Sequence, residues 1–202
     1  METSFKTPIH LLESGLTSDF LEALVKDIYA IKAAEPSIEI SNLHGWHSDT
    51  NLFGRNEPNV KLLCRALIKE TITKLNSISD SFEPDKYDGE FGGWINVNPR
   101  GGANAAHHHQ GWDWSGVFYL KQPKVEDGRS GMIEFINPCQ QSSPLASKGF
   151  LNVGFEPFFR VRPNEGQIVI FPSYLVHSVY PNESDDDRIS IAYNVRLNRK
   201  HR

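Results

Sequence analysis

A chain of 202 residues, 39% hydrophobic and 23% charged, is long enough to bury one substantial core and reads as an ordinary soluble globular protein. Its formal charge of −4 argues against a partner bound through nucleic-acid phosphates, and no run of about 18 apolar residues exists to cross a membrane. The two cysteines, Cys64 and Cys139, make neither a disulfide framework nor a zinc pattern, which points to a reducing cytoplasm.

The N-terminus METSFKTPIHLLES lacks the basic start and apolar core of a secretion signal. In SDFLEALVKDIYAIKAAEP, Phe20, Leu21, Leu24, Val25, Ile28 and Ile31 recur at helical spacing, with Ser18 as the expected N-cap and Pro36 as the stop. PNVKLLCRALIKETITKLNS repeats the pattern through Val60, Leu63, Leu67, Ile68, Ile72 and Leu75, with Pro58 at its start. Between the two lies SNLHGWHSDTNLFG, whose His44, Trp46 and His47 read equally as a lid over a site and as a plain capping loop.

From about residue 90 the period changes from 3.6 to 2. GGWINVNP, WSGVFYLK, GMIEFINP, FFRVRP, GQIVIFPS, LVHSVYP and RISIAYNVRL are short, rich in β-branched and aromatic residues, and separated by Pro, Gly, Asn and Asp. Helices over 1–80 followed by strands over 90–197 predict one α+β domain with a β-sandwich or barrel, and the lack of intervening helices excludes a parallel βαβ sheet. The closing basic residues Arg196, Arg199, Lys200 and Arg202 read as a solvated end.

Residues 104–120, NAAHHHQGWDWSGVFYL, place three histidines in the connection between two predicted strands. In extended chain His107 and His109 project to one side and His108 to the other, so this stretch offers a metal two imidazoles. The remaining histidine of the β-half, His177, follows the apolar strand GQIVIFPS and reads either as a satisfied polar residue at a strand end or as a third ligand. Arg188 opens the last strand with Ser190 on its own side, a fork and a hydroxyl suited to one carboxylate. The alternative is a solvent-facing partner for the run Asp185-Asp186-Asp187.

H-x-H, SGVFYL, GMIEFINP, GQIVIFPSYLVHSVYPN and RISIAYN, in that order, resemble the 2-oxoglutarate- and iron(II)-dependent oxygenases, within them the prolyl-hydroxylase-like branch and a group of bacterial and phage members. SNLHGWHS extends the likeness to about residues 40–197. The resemblance implies a double-stranded β-helix (jelly-roll, cupin-like) core with the helices packed on its major sheet and Fe(II) at its open end. Carried over by position, His107 and His177 are ligands, and Arg188, helped by the Tyr119 hydroxyl, holds the distal carboxylate of 2-oxoglutarate. The sequence departs from the usual His-x-Asp or His-x-Glu, so either His109 completes the triad or Asp113 turns in to do so, strand geometry favouring His109.

Asn96 and Asn98 alternate on one face and are expected beside the co-substrate or a ligand ring. Trp46, Trp112, Trp114 and Arg100 are the expected substrate-facing residues, with core packing as the alternative for at least two of Trp94, Trp112 and Trp114 and strand termination as the alternative for Arg100. The implied reaction takes Fe(II), O2 and 2-oxoglutarate, with ascorbate as a stimulant, and hydroxylates a C–H bond of a peptidyl or small amino-acid-like substrate, releasing succinate and CO2. Two other readings stand beside it: a three-His cupin-type dioxygenase that needs no 2-oxoglutarate, and a non-catalytic metal-binding β-helix module. Neither nucleic acid nor membrane is expected as a partner.

Overall fold

A computed structural model describes residues 7–125, 128–138 and 156–200. Cys139, Arg202 and the first six residues, each read above, lie outside them.

Helix α1 (Ser18–Ala34) starts one residue earlier than expected, because Thr17 rather than Ser18 is the cap and its hydroxyl accepts from the Phe20 N–H at 3.4 Å. It ends where Glu35 turns extended ahead of Pro36, a conformation the following proline imposes. Helix α2 (Pro58–Ile78) carries Pro58 in its first turn, where no intrahelical N–H is lost. Both helices bury the stripes that their sequences mark: Leu24, Ile28 and Ile31 on one, Val60, Leu63, Leu67 and Leu75 on the other.

Eleven strands form two antiparallel sheets among the described residues. The six-stranded sheet runs β1 (His10–Glu13), β9 (Gln167–Pro172), β6 (Trp114–Lys121), β11 (Arg188–Arg199), β4 (Tyr87–Asn98) and β3 (Trp46–His47). The five-stranded sheet runs β2 (Asn42–Leu43), β5 (Ala103–His107), β10 (His177–Val179), β7 (Ile133–Ile136) and β8 (Phe158–Val161). The larger sheet is buried on both faces, and strand periodicity divides its residues between them. Ile189, Ile191, Tyr193 and Val195 of β11 join Ile95, Val97, Phe118 and the helices in one core. Val117, Tyr119, Val169, Phe171 and Ala192 point the other way and pack with Ile133, Phe135 and Leu175 between the sheets. This is the expected α+β double-stranded β-helix with its helices on the major sheet. Tyr193 pins α2 to that sheet: its hydroxyl is 2.7 Å from the Thr71 hydroxyl, and its ring fills the place where a Cβ on Gly116 would sit.

Three local expectations are corrected. The histidine triplet is not wholly a loop, since β5 runs into it and His107 is its last residue. The edge strand β1 was not foreseen; it pairs with β9 from His10↔Ile170 to Glu13↔Gln167. SNLHGWHS is no lid but two short strands joined by a turn at His44 (φ 55°) that tie the sheets together, β2 pairing with β5 and β3 with β4.

Candidate metal centre and co-substrate pocket

His107 and His177 are direct cross-strand partners on β5 and β10. Beyond β5 the His109 N–H donates to the Ser173 carbonyl at 3.0 Å, which holds the His109 ring at the same point. The ring centroids lie 4.4 Å (His107–His177), 5.0 Å (His107–His109) and 5.1 Å (His109–His177) apart. One ligand nitrogen from each falls within 4.8 Å of the others, while His108 faces solvent as strand alternation requires.

Two of the rings have a set orientation. His107 Nδ1 is 2.7 Å from the Ala105 carbonyl and His177 Nδ1 is 2.9 Å from the Leu175 carbonyl. A carbonyl only accepts, so each Nδ1 carries its proton and each Nε2 presents a lone pair. Burial first and neighbouring imidazoles second lower the His109 pKa to about 3, and burial followed by His107 lowers that of His177 to about 4. Burial also lowers His107. Neutral imidazole is the ligating form, so the cluster is held ready for a metal.

Asp113, the alternative to His109, is turned away. Its carboxylate accepts from the Leu197 N–H at 2.8 Å and its own N–H donates to the Val195 carbonyl at 2.9 Å. The hydrogen bonds fasten the loop bearing His109 to β11, and the metal cluster contains no carboxylate among the described residues.

Below the histidines, register on the major sheet builds a polar wall. Ser190 pairs with Asn96 on one side and Tyr119 on the other, and Arg188 stands opposite Asn98. Arg188 is only 1% exposed. Its Nε donates to Gln122 Oε1 (3.1 Å), its Nη1 to Ser190 Oγ (3.0 Å), and its guanidinium lies 5.2 Å from the Tyr119 ring centre. The acidic run before it is engaged elsewhere: Asp185 with Arg100, Asp186 with Lys121, Asp187 with Lys32 and Tyr29. Arg188 is therefore a buried cation whose described partners are all neutral. Its Nη2, the Tyr119 hydroxyl and Asn96 Oδ1 are buried and have no hydrogen-bond partner among the described residues. A buried unpaired charge is among the costliest things a fold can hold. Burial raises the Tyr119 pKa to about 12 against the pull of Arg188, so its hydroxyl stays a donor. Neighbouring donors on the cavity wall, one of them charged, are what a carboxylate needs.

One cavity joins the two parts, with about 430 Å³ of space including its open mouth, lined by the three histidines, Arg188, Ser190, Tyr119 and Asn96. Trp94 also lines it, stacked on the buried His47 at 5.5 Å and against His109 at 5.4 Å. The residues expected at a substrate mouth are elsewhere. Trp46 is in the helix-side core with its indole N–H on the Glu35 carbonyl, and Trp114 packs against that core. Trp112 lies under the Arg196 guanidinium at 4.7 Å, and Arg100 pairs with Asp185 on the surface. Each was chosen for residue type, and partners distant in sequence decided its side. Three residues were missed. Gln122 fixes Arg188, and Ser41 and Asn104 line the cavity; their only sequence signal was polarity, beside predicted strands for Gln122 and Asn104 and between the helices for Ser41.

Three comparisons bear on this arrangement. Residues 92–194, half of the chain, match the family model described as "Putative 2OG-Fe(II) oxygenase". No curated protein matches in sequence. Among solved structures, a Pseudomonas putida prolyl-4-hydroxylase superposes with a TM-score of 0.63 at 16% identity, over 96% of this chain and 94% of its own. A viral collagen prolyl hydroxylase from Paramecium bursaria Chlorella virus-1, in its 2OG complex, gives 0.60 at 15%, over 94% and 96%. HygX from Streptomyces hygroscopicus, with nickel, 2-oxoglutarate and hygromycin B bound, gives 0.62 at 10%, over 94% and 83%. These similarities establish the fold, and the family match covers both the three-His cluster and the Arg188 wall. The chain belongs to the 2OG-Fe(II) oxygenase family: it is an oxidoreductase that takes iron(II) and 2-oxoglutarate.

Proposed function

We propose that the chain works as one catalytic domain in which His107, His109 and His177 hold Fe(II), and Arg188, Tyr119 and Ser190 grip the distal carboxylate of 2-oxoglutarate. The reaction is hydroxylation of a C–H bond in a peptidyl or small amino-acid-like substrate. The observation that carries this reading is the pairing, in one cavity, of a three-imidazole cluster with a buried guanidinium lacking an anion. Fe(II) and 2-oxoglutarate together supply oxidation by O2, one oxygen atom entering the substrate C–H bond and the other appearing in succinate as CO2 leaves.

The protein's share is placement. His107 and His177 are oriented by the Ala105 and Leu175 carbonyls, and His109 by the Ser173 carbonyl through its backbone. Arg188 and Tyr119 set how far 2-oxoglutarate reaches toward the histidines, and Asn96 Oδ1 stands ready as an acceptor on the same rung. The apolar Val117, Phe171 and Ile133 in the same lining keep water from the reacting region.

The substrate class draws on the described mouth, where Trp94 offers a flat apolar face, and on two structural relatives being prolyl hydroxylases. A cytoplasmic setting fits the cysteine usage, and the net charge of −4 disfavours nucleic acid as substrate. The test is turnover with Fe(II), 2-oxoglutarate and ascorbate over a panel of peptides and free amino acids. Succinate formed in step with a product one oxygen atom heavier is expected. Succinate released at an unchanged rate with every candidate, with no oxygenated product, contradicts the substrate class.

A further inference from the structure

The metal cluster and the Arg188 wall share an electrostatic consequence. Three imidazoles ligate as neutral groups, so they leave the charge of a bound dication uncompensated. The dication and the Arg188 guanidinium bring three positive charges into the cavity, and the 2-oxoglutarate dianion cancels two. One positive charge is left over in a site walled by Val117, Phe171 and Ile133. No Asp or Glu lines that cavity among the described residues. Asp113, just before β6, and Glu134, on β7, are committed elsewhere, Asp113 to the Leu197 N–H and Glu134 to Arg160 and Tyr180. At low dielectric such an excess attracts a single negative charge strongly.

A second, independent feature lies beside β5, the strand that carries His107. Asn98 Nδ2 donates to Asn104 Oδ1 at 3.2 Å, and Asn104 Nδ2 donates to Ser41 Oγ at 3.4 Å. The relay runs outward from the buried Asn98, and each bond polarises the next. It stops at the Ser41 hydroxyl, in the cavity wall, whose own hydrogen has no acceptor among the described residues. The relay ends as a donor facing the ligand space.

From these two features we infer that the substrate carries a free carboxylate, which it brings to the metal side of the cavity and rests on the Ser41 hydroxyl. The inference rests on the metal and co-substrate assignment proposed above and narrows it. A free amino acid or a chain terminus presents such a group, whereas an internal residue with an uncharged side chain does not.

Acetate is the probe. It is titrated anaerobically into the Fe(II) protein at saturating 2-oxoglutarate, and the visible charge-transfer band of the keto acid on iron is followed. The band is expected to shift without bleaching, saturating with one site. Acetamide, which has the same shape without the charge, should shift the band at least tenfold more weakly than acetate, and S41A should weaken acetate several-fold while keeping the band. Failure of the wild-type band to form overturns the underlying assignment and this inference with it. A band that forms but ignores acetate overturns the inference alone. So does a band that acetate bleaches by displacing the co-substrate, one shifted equally well by acetate and acetamide, or one that acetate shifts equally well in wild type and S41A.

Discussion

Arg188 is surrounded by neutral groups and 1% exposed, so its charge weakens the fold until an anion arrives. Arg188→Met keeps most of its volume and removes the cation. Replacing a poorly compensated buried charge by an apolar side chain is often neutral or stabilising by roughly 1–4 kcal/mol. Calorimetry without 2-oxoglutarate should therefore show an unchanged or raised Tm, while isothermal titration should show 2-oxoglutarate binding reduced at least a hundredfold. A variant that loses stability but still binds the co-substrate would refute the role given to Arg188. The buried histidines give an opposite and pH-dependent effect. His109 and His177 are held neutral down to about pH 3 and 4, whereas free imidazole titrates near 6.5. Below about pH 6.5 the unfolded chain therefore binds protons that the folded one refuses. Stability of the metal-free protein should fall with acidification from there to about pH 4, by up to roughly 1.4 kcal/mol per pH unit for each ring. His177→Gln should make that slope shallower in denaturant titrations.

The segment from His107 to Asp113 shows how far local sequence reaches. The i, i+2 projection of His107 and His109 held, because β5 delivers the chain extended into the triplet. The strand itself was illegible: ANAAH has neither β-branched nor aromatic residues, and its pairing with β10 across the fold is what makes it a strand. Asp113 was legible as a carboxylate near the site but not as an anchor, since its partner Leu197 is 84 positions away. As an anchor it predicts a specific pattern. Asp113→Ala should cost about 1 kcal/mol of stability and weaken Fe(II) several-fold by loosening His109. Asp113→Asn keeps an acceptor for the Leu197 N–H and should restore most of both. If Asn is as damaging to metal affinity as Ala, Asp113 acts through its charge instead.

Across the molecule, what could be read early was what repeats at short range. The two helices appear within a residue of their expected starts because a 3.6 period and a proline are local signals. The strands of the β-half were recognisable by alternation, but sheet order was not: β11 lies between β4 and β6, and β9 between β6 and β1, through contacts that no local pattern encodes. For the same reason the four substrate-facing candidates were misplaced while the metal and co-substrate residues converged. Apart from His109, which the Ser173 carbonyl holds, those residues share inner faces of strands, where alternation fixes direction, whereas Trp46, Trp112, Trp114 and Arg100 sit on outer faces or turns. The helices stiffen the major sheet from behind through Tyr193 and Thr71, so the cavity floor is built on the most buried strands of the fold.

The central claim is that the three histidines and Arg188 form one Fe(II) and 2-oxoglutarate site. Anaerobic titration of 2-oxoglutarate into the Fe(II)-loaded protein, followed by visible absorption, tests it most directly. The account predicts a weak charge-transfer band that saturates at one equivalent per chain, is lost in His177→Ala together with the metal, and is absent in Arg188→Ala at the same concentrations although iron remains bound. A wild-type protein that holds Fe(II) yet shows no band, or an Arg188→Ala variant that shows it undiminished, would contradict it.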